Sequence, residues 1–182
     1  MFFRWLYFLL LSATLSGVSA QQNDNELSLG LEGWRLVTDG VMGGVSEGRF
    51  RVAEVDGQSC LHLAGEVSTR NNGGFIQMAR DLDEREQSLV VDYRGVMLRV
   101  KGNAQDYNVH LRTGDLWFPW QAYRATFPAG AEWSSLKIPF DSFTPYKTSS
   151  GFDPARLERI GIVAIGRDFS ADVCVAEVGF YR

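Results

Sequence analysis

The segment DGVMGGVS at residues 39–46, together with NNGGF at residues 71–75, decides how this sequence is interpreted. Glycine has no Cβ, so it adopts positive φ or lets another strand approach closely. We expect Met42 to be an apolar plug under the first loop, and Asn72-Gly73 to be a hairpin turn. The residues singled out here are Asp39, Met42, Gly43, Gly44, Ser46, Asn71, Asn72, Gly73, Gly74 and Phe75.

Two roles are open for these glycine-rich segments. Paired turns of this kind can form the rim of a ligand site, because their backbone N–H groups become available. They can equally be structural turns that only connect strands, and the residue types alone favour this second role.

Around these segments, short apolar runs alternate with turn signals, the pattern of an all-β sandwich or barrel. Asp56-Gly57 predicts a tight hairpin. Helical signals are weak: residues 81–87 indicate a turn or one surface turn of helix, and Pro154 after Asp153 indicates one capped turn. The predicted strands span residues 49–55, 60–67, 74–79, 90–100, 107–113, 122–127, 135–139, 159–165 and 173–181.

The first 20 residues have the features of a cleaved secretory signal. Arg4 precedes an apolar run at residues 5–11, and Val18-Ser19-Ala20 offers small residues for cleavage. The run is shorter than the roughly 20 residues that span a bilayer, although an uncleaved anchor is an alternative. We therefore expect a periplasmic or extracellular protein with no membrane span, a loose polar lead at residues 21–32 and one domain at residues 33–182.

Composition argues against two classes of protein, and the two cysteines raise the question of a disulfide. The 182 residues carry a net charge of −4 and are 45% hydrophobic, which argues against a disordered chain and a nucleic-acid binder. Cys60 and Cys174 would meet an oxidising compartment after export and could form a disulfide. The alternative is two buried thiols that pack as small hydrophobic groups.

Candidate catalytic chemistry is sparse. Only His62 and His110 are present, each within an alternating strand that points it away from the core. Cys60 and His62 share one strand face, but two further metal ligands at a recognisable spacing are missing. There is no nucleophile elbow, phosphate-binding loop or dinucleotide fingerprint. We expect no cofactor and no metal; a structural calcium is conceivable in a β-sandwich but is not indicated by any D-x-D-x-D loop.

An aromatic cluster offers a ligand platform instead. Residues 117–123 contain Trp117, Trp120 and Tyr123, and strand alternation would place Trp117 and Tyr123 on one face and Trp120 on the other. Sugar rings stack on such side chains. The alternative is that these aromatics fill the core, where their burial is strongly stabilising. Polar side chains that could bind hydroxyl groups nearby are Asn108, His110, Arg112 and Gln121.

The two glycine-rich motifs resemble those of the complex I intermediate-associated protein 30 family. Residues 93–102, 107–112, the strand WSSLKIPF at 133–140, and 160–162 follow in the same order as in the family, where the first two form a central hairpin. The resemblance covers the chain from Trp34 onward. It implies a galactose-binding-like jelly roll, related in shape to carbohydrate-binding modules, and a non-enzymatic role. Mitochondrial members assist complex I assembly, whereas this chain carries a secretory signal instead of a transit peptide.

Three functional hypotheses follow. The first is an exported, non-catalytic binding or assembly-assisting domain that recognises a protein partner. The second is a carbohydrate-binding module, which requires exposed aromatics beside polar side chains. The third is an enzyme with an unrecognised site, which requires a histidine beside an acid and a nucleophile.

Overall fold

A computed structural model describes residues 25–182, which form a sandwich of two antiparallel sheets and thus confirm the all-β prediction. Short helical elements are limited to α1 (Glu84–Val90) and 3₁₀ turns at Asp39–Met42, Arg70–Asn72, Phe140–Ser142 and Pro154–Arg156. The strands are β1 (Glu26–Ser28), β2 (Arg35–Thr38), β3 (Glu47–Val55), β4 (Gln58–Val67), β5 (Phe75–Asp81), β6 (Gly95–Gly102), β7 (Gln105–Thr113), β8 (Ala122–Ala129), β9 (Ser134–Pro139), β10 (Thr144–Tyr146), β11 (Leu157–Ile165) and β12 (Phe169–Tyr181).

The two sheets divide the strands between them. Sheet I has the order β3-β4-β12-β6-β9, and β1 pairs with the C-terminal end of β12. Sheet II has the order β10-β8-β7-β11-β5-β2. Successive strands such as β6 and β7 therefore often lie in opposite sheets, and the chain crosses from one layer to the other.

The core lies between the sheets and follows from strand alternation, since every second side chain points inward. Leu61 and Leu63 of β4 and Val109 and Leu111 of β7 belong to this one cluster between the sheets, and all four are fully buried. Large aromatic side chains, among them Phe180, fill the remaining space.

A single buried carboxylate joins the two glycine-rich segments. Asp39 is 0% exposed and accepts hydrogen bonds from the backbone N–H groups of Ser46 (3.0 Å), Gly74 (2.6 Å) and Phe75 (3.2 Å). The Ser46 hydroxyl also donates to it, and the same hydroxyl accepts from Ser68 N–H at 2.9 Å. The segment before β3 is thereby fixed to the segment before β5, which links sheet I to sheet II.

The glycines of both motifs are required by this carboxylate. A Cβ built on Gly44 would lie 2.3 Å from Asp39 Cγ, and one built on Gly73 would lie 2.5 Å from Asp39 Oδ2. Any larger residue would push the carboxylate out of its hydrogen bonds. The structural role of the motif therefore rests on close approach to Asp39.

A disulfide joins Cys60 of β4 to Cys174 of β12, two adjacent strands of sheet I. The bond closes a loop of sequence separation 114. Both cysteines are buried although they lie on the outer face of the sheet, opposite to Leu61 and Leu63.

Several local predictions are correct in detail. Asp56 and Gly57 have φ of 51° and 73° and connect β3 to β4 as a tight hairpin. Asp153 caps the 3₁₀ turn that begins at Pro154, with its side chain accepting from Ala155 N–H.

Other local predictions are wrong. Asn72-Gly73 is not a hairpin turn, because β4 and β5, on either side of it, lie in different sheets. For the same reason β6 and β7 do not form a hairpin. Met42 is not a plug: its side chain is 46% exposed, because the loop is held from below by Asp39 instead.

The remaining differences concern element boundaries. Within the lead expected to be loose, Glu26–Ser28 forms β1 and pairs with β12, and Leu29 is buried. The strand expected from Val90 begins only at Gly95, because α1 occupies the preceding residues. A capping box between Asp83 and Glu86 starts that helix, and Arg80 binds the Glu86 carboxylate at 2.7 and 2.8 Å.

The expected signal peptide lies outside the described residues. No helix within residues 25–182 has the length and apolar character needed to cross a membrane.

We predict that Asp39→Asn destabilises the fold by about 3 kcal/mol, because an amide cannot accept all four donors and loses the charge that strengthens them. Urea unfolding measures the change. Asp168→Asn is the matched control: Asp168 also accepts a backbone N–H, from Thr69, but at an exposed site, and its loss should be much smaller. Equal losses in the two variants would contradict the role given to Asp39.

The same variant tests the ionisation of Asp39. Burial alone would raise the pKa of Asp39, but hydrogen bonds from the Ser46 side chain and from three backbone N–H groups lower it below the ordinary 3.8. A lowered pKa stabilises the folded state above the ordinary value and loses that contribution as the pH falls through the folded pKa. The stability difference between wild type and Asp39→Asn should therefore be largest near neutral pH and shrink below pH 3.8.

We predict that the double variant Cys60→Ala/Cys174→Ala loses about 3–5 kcal/mol of stability, the range for a disulfide that closes a long loop. Urea unfolding with and without dithiothreitol measures it. Reductant should bring the wild type close to the double variant and leave the variant unchanged. A double variant as stable as the oxidised wild type would contradict the prediction.

Candidate functional site

The candidate site is a groove of about 160 Å³ on the outer face of sheet II. Its floor is formed by β5, β7 and β11, where Ala79 and Val163 are almost completely buried. Gly161 at its centre carries no side chain, so no side chain fills the groove at that point. We call this feature the groove; its lining residues are Met42, Asn72, Gly73, Gly74, Phe75, Gln77, Ala79, His110, Arg112, Pro119, Trp120, Gln121, Ala122, Tyr146, Lys147, Arg159, Gly161, Val163, Ile165 and Gly166.

The groove brings together two sets of residues that the sequence singled out separately. Met42 and Asn72, from the glycine-rich segments, line one end of it. Trp120 and Gln121, from the aromatic cluster, line it together with His110 of β7. The contacts of Asp39 give the glycine-rich segments the structural role, and residues adjacent to these contacts border the groove.

The aromatic cluster is a loop and not a strand. Residues 114–121 connect β7 to β8, so the alternation expected for residues 117–123 fails. Trp117 is 92% exposed and lies outside the groove, whereas Trp120 is 44% exposed and lines it. Phe118 stacks on Trp120 with ring centroids 4.9 Å apart and planes at 7°, so one indole face is covered while the side chain keeps part of its exposure.

Tyr123 is not part of a ligand platform. It is fully buried, because β8 has begun and this residue faces the core, and its hydroxyl donates to the Gly151 carbonyl at 2.9 Å. Core filling was therefore the correct alternative for Tyr123 and the wrong one for Trp117 and Trp120.

Two of the predicted hydroxyl-binding residues instead hold the aromatic loop. Arg112 Nη1 donates to the carbonyls of Phe118 (2.8 Å) and Gln121 (2.5 Å), and its Nη2 donates to that of Leu116. The Gln121 side chain accepts from Phe118 N–H at 3.0 Å and donates to the Lys147 carbonyl at 3.2 Å. Both residues line the groove, but their main contacts fix its wall.

Asn108 lies on the same face of β7 but does not line the groove. It is buried, and its carbonyl oxygen accepts from the Thr126 hydroxyl at 2.9 Å. This pairing across β7 and β8 uses the group that was expected to bind a ligand.

His110 is one of the polar residues that line the groove, and its ring is largely buried. Burial, with a smaller contribution from the nearby Arg124, lowers its pKa to about 4, so the ring is neutral at physiological pH. Its Nε2 is buried without a hydrogen-bond partner among the described residues, and its ring lies 5.7 Å from that of Tyr146. A neutral imidazole offers one donor and one acceptor, which suits a hydroxyl group.

The histidines do not assemble a catalytic site within residues 25–182. His62 Nε2 lies 2.9 Å from Asp172 Oδ1 on sheet I, but no nucleophile is at hydrogen-bond distance from that ring. His110 lies on the opposite sheet without an acid partner. In the same residues, no three His, Cys, Asp or Glu side chains are grouped so that they could hold a metal ion.

Sequence reasoning missed Tyr146, Lys147, Gln77 and Arg159. Gln77 and Arg159 are outward-facing positions of β5 and β11, so their alternation with buried residues is a signal for the correct face. Tyr146 ends the three-residue β10, which was not predicted, and Lys147 follows it; the local sequence marks neither of them.

Comparison with solved structures shows the same fold in carbohydrate-binding modules. A family 11 module from Clostridium thermocellum in complex with a β-1,3-1,4-mixed-linked tetrasaccharide has a TM-score of 0.66 and 13% identity, over 86% of this chain and 94% of that chain. A family 11 module of a cellulosomal cellulase of the same organism has a TM-score of 0.67 and 12% identity, over 88% and 96%. A family 30 module has a TM-score of 0.54 and 14% identity, over 72% and 81%.

These likenesses identify the sandwich as a jelly roll. Comparison with curated protein sequences finds no match. A family model does match, over residues 20–173, and it spans both glycine-rich motifs as well as the groove. The chain belongs to the complex I intermediate-associated protein 30 (CIA30) family.

Proposed function

We propose that this chain is a non-catalytic carbohydrate-binding domain and that the groove on sheet II is its binding site. The observation that carries the proposal is the position of Trp120, which lines the groove with one indole face covered by Phe118. Weakly positive C–H groups of a sugar ring pack against the negative face of an aromatic ring. Tyr146 supplies a second ring in the groove.

Polar side chains beside the rings are suited to hydroxyl groups. His110 is neutral with an unpartnered Nε2, and Gln77 and Asn72 also line the groove. Along β11 the lining extends from Arg159 to Ile165, about 20 Å at the rise of a β-strand. A groove of this length accommodates several sugar rings. The jelly-roll neighbours bind carbohydrate by their printed names, which agrees with the proposal.

A protein partner is the second candidate, and a different surface favours it. Trp117 is 92% exposed and Val41 is 76% exposed, both on loops next to the groove. Large exposed apolar side chains are typical of interfaces with other proteins. In this alternative the domain assists assembly of a protein complex, as the CIA30 name suggests, and the aromatic loop is the contact.

We also propose that the protein is exported. The support is the signal-like sequence of residues 1–20 together with the Cys60–Cys174 disulfide, since such bonds persist in oxidising compartments.

We predict that Trp120→Ala weakens glycan binding about tenfold or more, because it removes the stacking surface, while Trp117→Ala leaves it within about twofold. The wild type is first applied to a polysaccharide array that includes mixed-linkage β-glucan, dextran, polygalacturonate and dextran sulfate. Isothermal titration then compares the variants on the polysaccharides that bind.

The matched tryptophans separate the two candidate functions. A silent array would contradict glycan binding. A protein captured from the periplasmic or extracellular fraction, whose capture is lost in Trp117→Ala and kept in Trp120→Ala, would support the second candidate.

For export, we predict that the protein recovered from a secreting host begins at Gln21, because cleavage is expected after Ala20. N-terminal sequencing measures this. A protein that retains Met1 or remains in the cytoplasm would contradict the proposal.

A further inference from the structure

The groove concentrates positive charge in a protein that is negative overall. The whole sequence carries a net charge of −4. Within the described residues, the groove is lined by the cations Arg112, Lys147 and Arg159, and no aspartate or glutamate lines it. A further cation, Arg124, lies on the same face of sheet II with its guanidinium 4.5 Å from the Tyr146 ring. The overall composition does not explain why cations cluster at this groove.

The carboxylate that pairs with Arg159 does not fully neutralise the cations at its end of the groove. Asp81 binds Arg159 through one oxygen and Arg35, at 2.9 Å, through the other. Two guanidinium groups therefore share one carboxylate, and a net positive charge remains at that end of the groove.

Arg112 and Lys147 form no ion pair in the part of the chain that the structure describes. The hydrogen bonds of Arg112 go to neutral backbone carbonyls, which orient the guanidinium without cancelling its charge. Burial, with repulsion from Arg159, lowers the pKa of Arg112, and the attraction of Glu158 offsets this only in part. An arginine keeps its charge at neutral pH. An anion entering the groove would relieve this repulsion.

Lys147 is held at the rim by its backbone. Its φ is 54°, a left-handed conformation that is uncommon outside glycine, and its carbonyl accepts from the Gln121 side chain. Its ammonium lies 5.5 Å from the centre of the Tyr146 ring. A cation thus lies beside an aromatic ring, an arrangement suited to a sugar ring that carries an anionic group.

We infer that the groove binds an anionic polysaccharide, whose rings pack against Trp120 and Tyr146 and whose carboxylate or sulfate groups face Lys147 and Arg112. The inference rests on the proposed function and narrows its ligand class. Charge and stacking act together: the aromatic rings select a sugar chain, and the uncompensated cations select an acidic one.

The test compares polymers that differ only in charge. Isothermal titration of the full chain uses polygalacturonate against its methyl ester, and dextran sulfate against dextran, so the two pairs also distinguish carboxylate from sulfate. We expect at least one acidic polymer to bind about tenfold or more tightly than its neutral partner. Binding should weaken steadily as sodium chloride is raised to 1 M, where screening extends to about 3 Å.

Matched lysine variants localise the effect. Lys147→Gln should weaken binding of the acidic polymer about three- to fivefold, the range of an exposed charge interaction, and leave the neutral polymer unaffected. Lys137→Gln is the control, because Lys137 also lies over a tyrosine, Tyr181 at 4.9 Å, but on sheet I. Arg159→Gln provides a second groove variant, and circular dichroism confirms that each variant is folded.

Each other outcome is decisive. Equal or tighter binding of the neutral polymers would overturn the inference and leave the proposed function standing. Failure of all four polymers would overturn the inference. The proposed function would then stand only if a further polymer of the array, such as mixed-linkage β-glucan, binds. Equal affinity for poly-L-glutamate would show that charge alone is recognised and would overturn the assignment to a polysaccharide, as would equal losses in Lys147→Gln and Lys137→Gln.

Discussion

The hydrogen bonds accepted by the buried carboxylate of Asp39 are the constraint on which the rest of this structure depends. Two glycine-rich segments, more than 20 residues apart, meet there because their backbone N–H groups converge on one charged side chain. A buried charge is costly unless it is paired or fully hydrogen-bonded. Here most of the donors are main-chain N–H groups, so the path of the chain itself offsets the cost of burying the carboxylate. Movement of either segment would remove some of these hydrogen bonds from Asp39.

This constraint explains how much of the molecule could be predicted from its sequence. Strands with strict alternation, such as those of Leu61-His62-Leu63 and Val109-His110-Leu111, were predicted because periodicity reports a buried face directly. A local pattern does not indicate in the same way which strands a turn connects. Asn72 does have positive φ, as its sequence indicates, but a turn signal does not say whether the next strand joins the same sheet or the opposite one. The error at Asn72-Gly73 therefore comes from tertiary structure that a local pattern does not contain.

The candidate site shows the same difference between what the local sequence indicates and what only the tertiary structure determines. Trp120 and His110 could be found from residue type, since tryptophans and histidines are few and chemically distinctive. Tyr123 was misplaced because strand β8 begins only at Ala122, which leaves Trp117 and Trp120 in a loop and turns Tyr123 toward the core. Lys147 could not have been found, because it reaches the groove only through the pairing of the short β10 with β8. No aspartate or glutamate is among the described residues that line the groove beside it, and this is a property of the folded surface.

The anchoring of the aromatic loop by Arg112 has a consequence for how binding proceeds. Three carbonyls of residues 116–121 accept from this one guanidinium, so the wall that carries Trp120 is ordered before any ligand arrives. Ordering a loop during association costs conformational entropy, and a preformed wall avoids that cost. A ligand that bound in the groove would therefore meet a wall that is already ordered.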